Sequence, residues 1–266
     1  MRLTTQLRLN SHRIAAVAGG GGSFDPLSLF AAGEQGFWLD PSDAATLAVL
    51  FDQPLVNGAV ISDMADKSGR GNSFIANIMN GPSYTGGAKP YLTFDGVNDG
   101  LGTDGSITPT SGFVQVFAAV MKNSDAAVGT VVEWGASTAS GTSCFHLKAP
   151  RGGSAPGYAF RSKGTVTADA AVDAGYGTGV GRVITGLGSL ATPYSKLRIN
   201  GTEVANVTTA QTGTPNYNGP STCYVGSRGH SSEFFNGRLY GLLVRFGPAL
   251  TAQQISDMET WLASKM

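Results

Sequence analysis

Ser195-Lys196-Leu197-Arg198-Ile199-Asn200-Gly201-Thr202-Glu203-Val204-Ala205-Asn206-Val207 is two β-type runs separated by two residues. Asn-Gly is the pair that a type I′ turn selects, because both central residues take positive φ. The stretch therefore predicts a tight hairpin, with 195–200 returning as 202–207. The same grammar extends on both sides, from Phe37 to about Phe246. Short β-rich runs alternate with clusters of Gly, Asn, Asp, Ser and Pro. The further runs are 36–39, 91–94, 113–121, 128–134, 144–147, 158–161, 182–187, 223–226 and 239–246. About eleven short strands, with no helical segment among them, predict an all-β sandwich or barrel.

Helical signals flank this region. Asp25 suits an N-cap, Pro26 the first helical position and Gly33 the position after the end. With Leu27, Phe30 and Ala31 on one face, 26–32 predicts a two-turn helix that docks on another surface. At the other end, Thr251 and Gln254 make a capping box, and Leu250 can staple onto Ile255. Ile255, Met258 and Leu262 form a stripe with Trp261 beside it, so 252–264 predicts a helix packed on the sandwich.

Composition narrows the function classes. Glycine is 38 of 266 residues, about twice the usual share of roughly 7%, and ten or so turns would consume much of it. Lys+Arg and Asp+Glu are 18 each. That balance argues against nucleic acid as a partner, which would call for a basic excess. No apolar run reaches the 18 or more residues of a membrane helix, and no membrane partner is expected. The apolar core Ile14-Ala15-Ala16-Val17-Ala18 is shorter than a signal peptide needs. Residues 1–22, with Arg2, Arg8, Arg13 and the hinge Gly19-Gly20-Gly21-Gly22, read as an arm that anchors the body 23–266 to a partner. Leu27 and Phe30 would join that contact. Cys144 and Cys223 sit in separate β-runs and read as two buried free thiols, with pairing across strands the alternative.

Three stretches carry a resemblance. The first is Gly36-Phe37-Trp38-Leu39-Asp40-Pro41-Ser42-Asp43 with Ser62-Asp63-Met64-Ala65-Asp66-Lys67-Ser68-Gly69-Arg70-Gly71-Asn72. The second is Leu92-Thr93-Phe94-Asp95-Gly96-Val97-Asn98-Asp99. The third is Phe235-Asn236-Gly237-Arg238-Leu239-Tyr240-Gly241-Leu242-Leu243-Val244, running into the last helix. In this order they resemble the concanavalin A-like lectin/glucanase superfamily, in its laminin-G-like branch. More narrowly they resemble the version found in virion proteins of tailed bacteriophages. The resemblance covers about 23–264. It implies a two-sheet antiparallel jelly-roll sandwich with a short N-terminal helix and a C-terminal helix. It also implies a non-enzymatic structural role at the phage particle surface, as a capsid decoration, spike or tail-tip module. The partners implied are other virion proteins through the arm, a homo-oligomer such as a trimer, and a host-surface glycan. A free lectin module is the alternative, and a glycoside hydrolase a third reading. One fold hosts all three.

The residues bear on those alternatives. Glycan hydrolysis needs two positioned carboxylates, and Glu133 has no acidic neighbour at two or four residues. No Gly-x-Ser-x-Gly elbow is present, and Gly229-His230-Ser231-Ser232-Glu233 reads as a solvated loop. No catalytic residue is therefore assigned. Glycan binding needs exposed aromatics beside amides or carboxylates. The aromatic candidates are Tyr84, Tyr158, Tyr176, Tyr194, Tyr217, Phe234 and Phe235. Of these Tyr217, flanked by Asn216 and Asn218, is expected to be the most exposed, with Tyr158 and His230 as further contacts. Asp63, Asp66, Asp95, Asn98 and Asp99 form the best oxygen-ligand set for a calcium ion, which relatives of this fold often hold at the rim. The same residues also suit plain hydrogen-bonded turns, and no other cofactor is implied.

Overall fold

The computed structural model describes residues 24–266 apart from 78, 136–142, 153–154, 174, 210–216 and 218. The arm residues Arg2, Arg8 and Arg13, and the glycan candidates Asn216 and Asn218, lie outside the described residues. The strands in chain order are β1 (Gln35–Leu39), β2 (Leu47–Val49), β3 (Ile61–Ala65), β4 (Ser73–Ala76), β5 (Ser83–Thr85), β6 (Tyr91–Asp95), β7 (Leu101–Thr103), β8 (Phe113–Lys122), β9 (Thr130–Trp134), β10 (Cys144–Lys148), β11 (Tyr158–Lys163), β12 (Thr167–Val172), β13 (Gly181–Ser189), β14 (Tyr194–Ile199), β15 (Thr202–Val207), β16 (Cys223–Val225) and β17 (Asn236–Phe246). Helix α1 spans Ala252–Ala263.

The chain is a two-sheet antiparallel jelly-roll sandwich. The first sheet runs β15-β14-β13-β8-β17-β6-β5, with β1 beside the later half of β17. The second runs β12-β11-β10-β9-β16-β7-β4-β3-β2. The 195–207 hairpin forms as expected: Ile199 pairs with Thr202, and Asn200 and Gly201 take φ of 49° and 82°. Each of the eleven predicted runs overlaps a strand, with ends that differ by up to three residues, as at 239–246, where β17 begins at Asn236, and at 128–134, where β9 begins at Thr130. The six strands that the sequence did not predict (β2, β3, β4, β5, β7 and β12) are three to six residues long. The expectation of no helix within the strand region needs correction too. 3-10 turns occur at Ala44–Thr46 and Leu50–Asp52.

The main core lies between the sheets. Trp134, Phe145, Tyr217 and Phe246 pack edge-on or tilted, with centroid distances of 4.9 to 6.0 Å, a favourable aromatic geometry. Two glycines of β13 make room for rings of the opposite sheet and its loops. A Cβ on Gly186 would stand 2.2 Å from the Phe160 ring, and one on Gly188 would stand 2.4 Å from the Tyr217 hydroxyl. Part of the glycine excess is therefore close packing in strands, beyond the turn chemistry the composition suggests.

The outer face of the first sheet is covered. Phe117, Val183, Tyr240 and Leu243 meet Met258 and Leu262 of α1, and Leu29 and Phe30 of an N-terminal 3-10 turn. The Thr251–Gln254 capping box is present. The expected two-turn helix at 26–32 is instead a single 3-10 turn, Pro26–Phe30, capped by Asp25. Phe30 is buried in this domain's own core and is not available to a partner, whereas Leu27 is exposed. Two arginines fix the turn. Arg245 Nε donates to the Leu29 carbonyl at 2.7 Å and Nη2 to Glu34 at 2.7 Å, while Arg70 Nη2 donates to the Phe30 carbonyl at 2.5 Å. The Asp66–Asn72 loop completes the clasp. Asp66 accepts from Trp38 N at 2.8 Å, and Asn72 Nδ2 donates to the Gly36 carbonyl at 2.8 Å.

Candidate functional site

The structure does not gather the sequence-derived site residues in one place. Tyr217 is buried, its hydroxyl 2.6 Å from Ser162 Oγ, and burial pushes its pKa up. It is a core residue, contrary to the expectation of an exposed sugar platform. Tyr158 is also fully buried, its hydroxyl raised to about 12 by burial, and is likewise no surface contact. His230 is half-buried with its ring edge-on to Tyr224 at 5.1 Å, filling space above Gly102. Burial lowers its pKa. Of the other aromatic candidates, Tyr84 and Phe235 are buried.

The acidic set separates in space. Asp63 lies on β3, while Asp66 turns in to the clasp. Burial raises Asp66 against the hydrogen bonds from Ser68 and Trp38. Asp95 Oδ1 accepts from the backbone N–H groups of Val97, Asn98 and Asp99, and Asp99 Oδ2 accepts from Asp95 N. This is the Asx-type turn that these residue types favour. Asp99 is pushed up to about 6 by burial, with the neighbouring Asp95 charge adding to it. Among the described residues, no three His, Cys, Asp or Glu side chains converge as a metal site. The two cysteines are free. They sit on β10 and β16, which flank β9. Two strand spacings, about 9–10 Å, exceed disulfide reach.

Strand alternation builds a polar row across the outward face of the second sheet, the face opposite the core. Asp169, Arg161, His146, Glu133, Tyr224 and Gly102 lie in direct register on β12, β11, β10, β9, β16 and β7. The segment between β16 and β17 lies over this row. Its Arg228 holds Glu133 at 3.2 Å and Glu233 at 2.8 Å, and Lys148 meets Glu233 at 2.9 Å. Burial keeps His146 well below the usual imidazole pKa, with Lys148, Arg161 and Arg228 pushing the same way, so the ring is neutral. Glu133 and His146 are completely buried despite facing outward. Sequence spacing missed this grouping, because Glu133 and Glu233 stand a hundred residues apart and are bridged by Arg228.

A second region has the opposite character. The loop from Val49 to Val60 lies at the rim, between the edge strands β2 of one sheet and β5 of the other. It surrounds a groove of about 470 Å³, with apolar walls from Val49, Phe51, Val56 and Val60 and amides from Gln53 and Asn57. Phe51 is 72% exposed and is the one aromatic among the large, exposed apolar side chains of the described residues. Its backbone is left-handed (φ 58°), as is that of Asp52 (φ 52°). Aspartate is among the types that visit that region more often, whereas it is uncommon for phenylalanine. At Phe51 such local strain costs about 1–3 kcal/mol, and strain of this kind tends to concentrate at ligand clamps. The loop is held by Leu50 N to Val60 O at 2.9 Å, Gly58 N to Tyr84 O at 2.8 Å and Gly86 N to Asn57 Oδ1 at 2.7 Å. It is preorganised, which lowers the entropy cost of binding.

No family model and no curated protein matches the chain. Solved structures do. The binding domain of botulinum neurotoxin DC in complex with SialylT matches with a TM-score of 0.59 at 7% identity, over 88% of this chain and 52% of that one. The same toxin's binding domain in complex with rat synaptotagmin II gives 0.59 at 8%, over 87% and 52%. The receptor-binding domain of botulinum neurotoxin D gives 0.55 at 11%, over 85% and 52%. The chain thus spans about half the length of these neighbours. At such identities the likeness defines the fold, a lectin-like β-sandwich jelly roll.

Proposed function

We propose that this chain is a non-enzymatic glycan-binding module whose contact is the Phe51 rim groove, displayed on the surface of a tailed-phage particle and attached through residues 1–22. The observation that carries the glycan reading is Phe51 itself, an exposed ring on a strained, preorganised loop with amides beside it. An aromatic face of this kind can stack on the apolar face of a sugar. The similarity in fold to a binding domain in complex with SialylT supports a glycan ligand. The burial of Glu133, and its ion pair with Arg228, support a binding role over hydrolysis, since acid and nucleophile carboxylates must reach substrate. The virion role, including contacts with other virion proteins and a homo-oligomeric assembly, rests on the sequence resemblance.

A glycan array on the purified chain tests the binding reading. Reproducible binding that Phe51→Ala removes is the expected result, and binding unaffected by that change overturns the assigned site. Turnover of any polysaccharide in a panel would overturn the non-enzymatic part. For the virion role, deleting 1–22 should abolish incorporation into particles while the body stays folded. Normal incorporation would reject the anchor.

A further inference from the structure

The chemistry of the same groove goes further than the presence of a ligand. We propose that it selects a neutral pyranose carrying a methyl group, either an acetamido sugar or a 6-deoxy sugar, and rejects acidic sugars. This rests on the reading of the Phe51 groove as the glycan contact and adds the class of sugar.

The argument is one of charge and shape. None of the groove's lining residues is charged. The nearest charge in the loop is the carboxylate of Asp52, between Phe51 and Gln53. A sialic acid, uronate or phosphate would bring an anion to a site lined by no cation, on a loop whose one ionisable side chain is itself an acid. Burying an anion against apolar walls with no cation to pair it is costly, and such an uncompensated cost acts as a rejection device. A neutral ring meets no such obstacle, and its hydroxyls or amide are offered Gln53 Oε1 and Asn57 Nδ2, the other halves of these two carboxamides being bonded to Phe51 O and Gly86 N.

The walls supply the second half. Val49, Val56, Ala59 and Val60 line the groove beside Phe51. These walls offer aliphatic contact in addition to the ring on which a sugar face would stack. A methyl group is the small apolar feature that neutral sugars offer, as the acetamido methyl or as C6 of a deoxy sugar. One apolar carbon placed in such a pocket gives on the order of tenfold discrimination. Val56 is itself exposed, so its side chain is available to a ligand.

The full chain should be titrated with four oligosaccharide sets matched in length: N-acetylhexosamine, 6-deoxyhexose, plain hexose and sialylated hexose. The expected result is binding of the first or second set about tenfold tighter than plain hexose, no binding of the sialylated set, and loss of all binding in Phe51→Ala. Val56→Ser should erase the preference for methyl while keeping binding of the plain sugar. Which of the first two sets binds identifies the source of the methyl. Phe51-dependent binding without a methyl preference, or with a preference for sialylated sugar, overturns this proposal and leaves the groove as the glycan site. Absence of any Phe51-dependent binding in a variant whose circular dichroism matches the parent overturns both.

Discussion

The two regions that concentrate recognisable chemistry differ in how their groups are used. Across the outward face of the second sheet, Glu133, His146, Arg161 and Asp169 form a row of ionisable groups, and Arg228 closes over its centre. Their hydrogen-bonding capacity is directed at one another. At the rim, Phe51 and Val56 stand in solvent around an uncharged groove, while Leu55 and Ala59 of the same loop pack against the core. Abundant polar chemistry thus marks an internally satisfied structural network, whereas the binding candidate is a short apolar loop with little polar chemistry. A charged cluster indicates a site only where its groups remain unmatched.

Changes in the two regions should separate stability from binding. The largest loss of stability is expected from Arg228→Ala, which takes the guanidinium from the buried Glu133. Breaking a buried pair from one side costs about 3–5 kcal/mol. Chemical denaturation should register that loss, with glycan affinity unchanged under conditions where the variant is folded. Ser162→Ala should cost about 2 kcal/mol, because it leaves the Tyr217 hydroxyl buried without that partner. A neutral result would mean that Tyr217 reaches solvent after all.

Asp99→Asn should act in a pH-dependent way. The folded-state pKa, about 6, lies above the ordinary 3.8. The native state therefore binds the extra proton between those values, and stability from this group is lost as pH rises through 6. Asn removes the buried charge and should stabilise by about 1 kcal/mol at pH 8, after allowance for partial exposure. The gain should vanish near pH 4. Melting curves at the two pH values read the difference, and an equal effect at both would reject the burial argument. Smallest of all should be Phe51→Gly. Relief of the left-handed strain offsets the added freedom of the unfolded chain, so stability should stay within about 0.5 kcal/mol while glycan binding is lost.

Much of the fold is legible in the sequence, because long strands such as β8 and β17 carry continuous apolar and β-branched runs bounded by turn residues. The missed strands lack that signal. β12 reads Thr-Ala-Asp-Ala-Ala-Val, and β7 is three residues long. Tyr217 misled because Pro, Asn and Gly surround it, the composition of an exposed loop. The space that admits its hydroxyl is left by Gly188, and its ring packs on Phe145 and Phe246, all far from it in sequence. Phe51 was overlooked for the converse reason. It ends the run Leu47-Ala48-Val49-Leu50-Phe51, which looks like a buried strand. The left-handed turn at Phe51 and Asp52 sends the ring outward, and a phenylalanine does not announce such a turn. The anchoring role of Phe30 failed because its own sheet offers the apolar surface that a partner was expected to supply.

The position of β17 has a consequence for how the protein is made. This strand fills the middle of the first sheet, bonded to β8 on one side and to β6 and β1 on the other. On a ribosome, β8 emerges on the order of 100 residues before β17. At roughly 5–20 residues per second, that interval is on the order of ten seconds. Through it, one edge of β8 has no native neighbour, and β1 and β6 have no central strand to join. Such late, non-local pairing slows folding and leaves strand edges open to other nascent chains. The sandwich therefore closes from the middle, and only once nearly all of its strands have been synthesised.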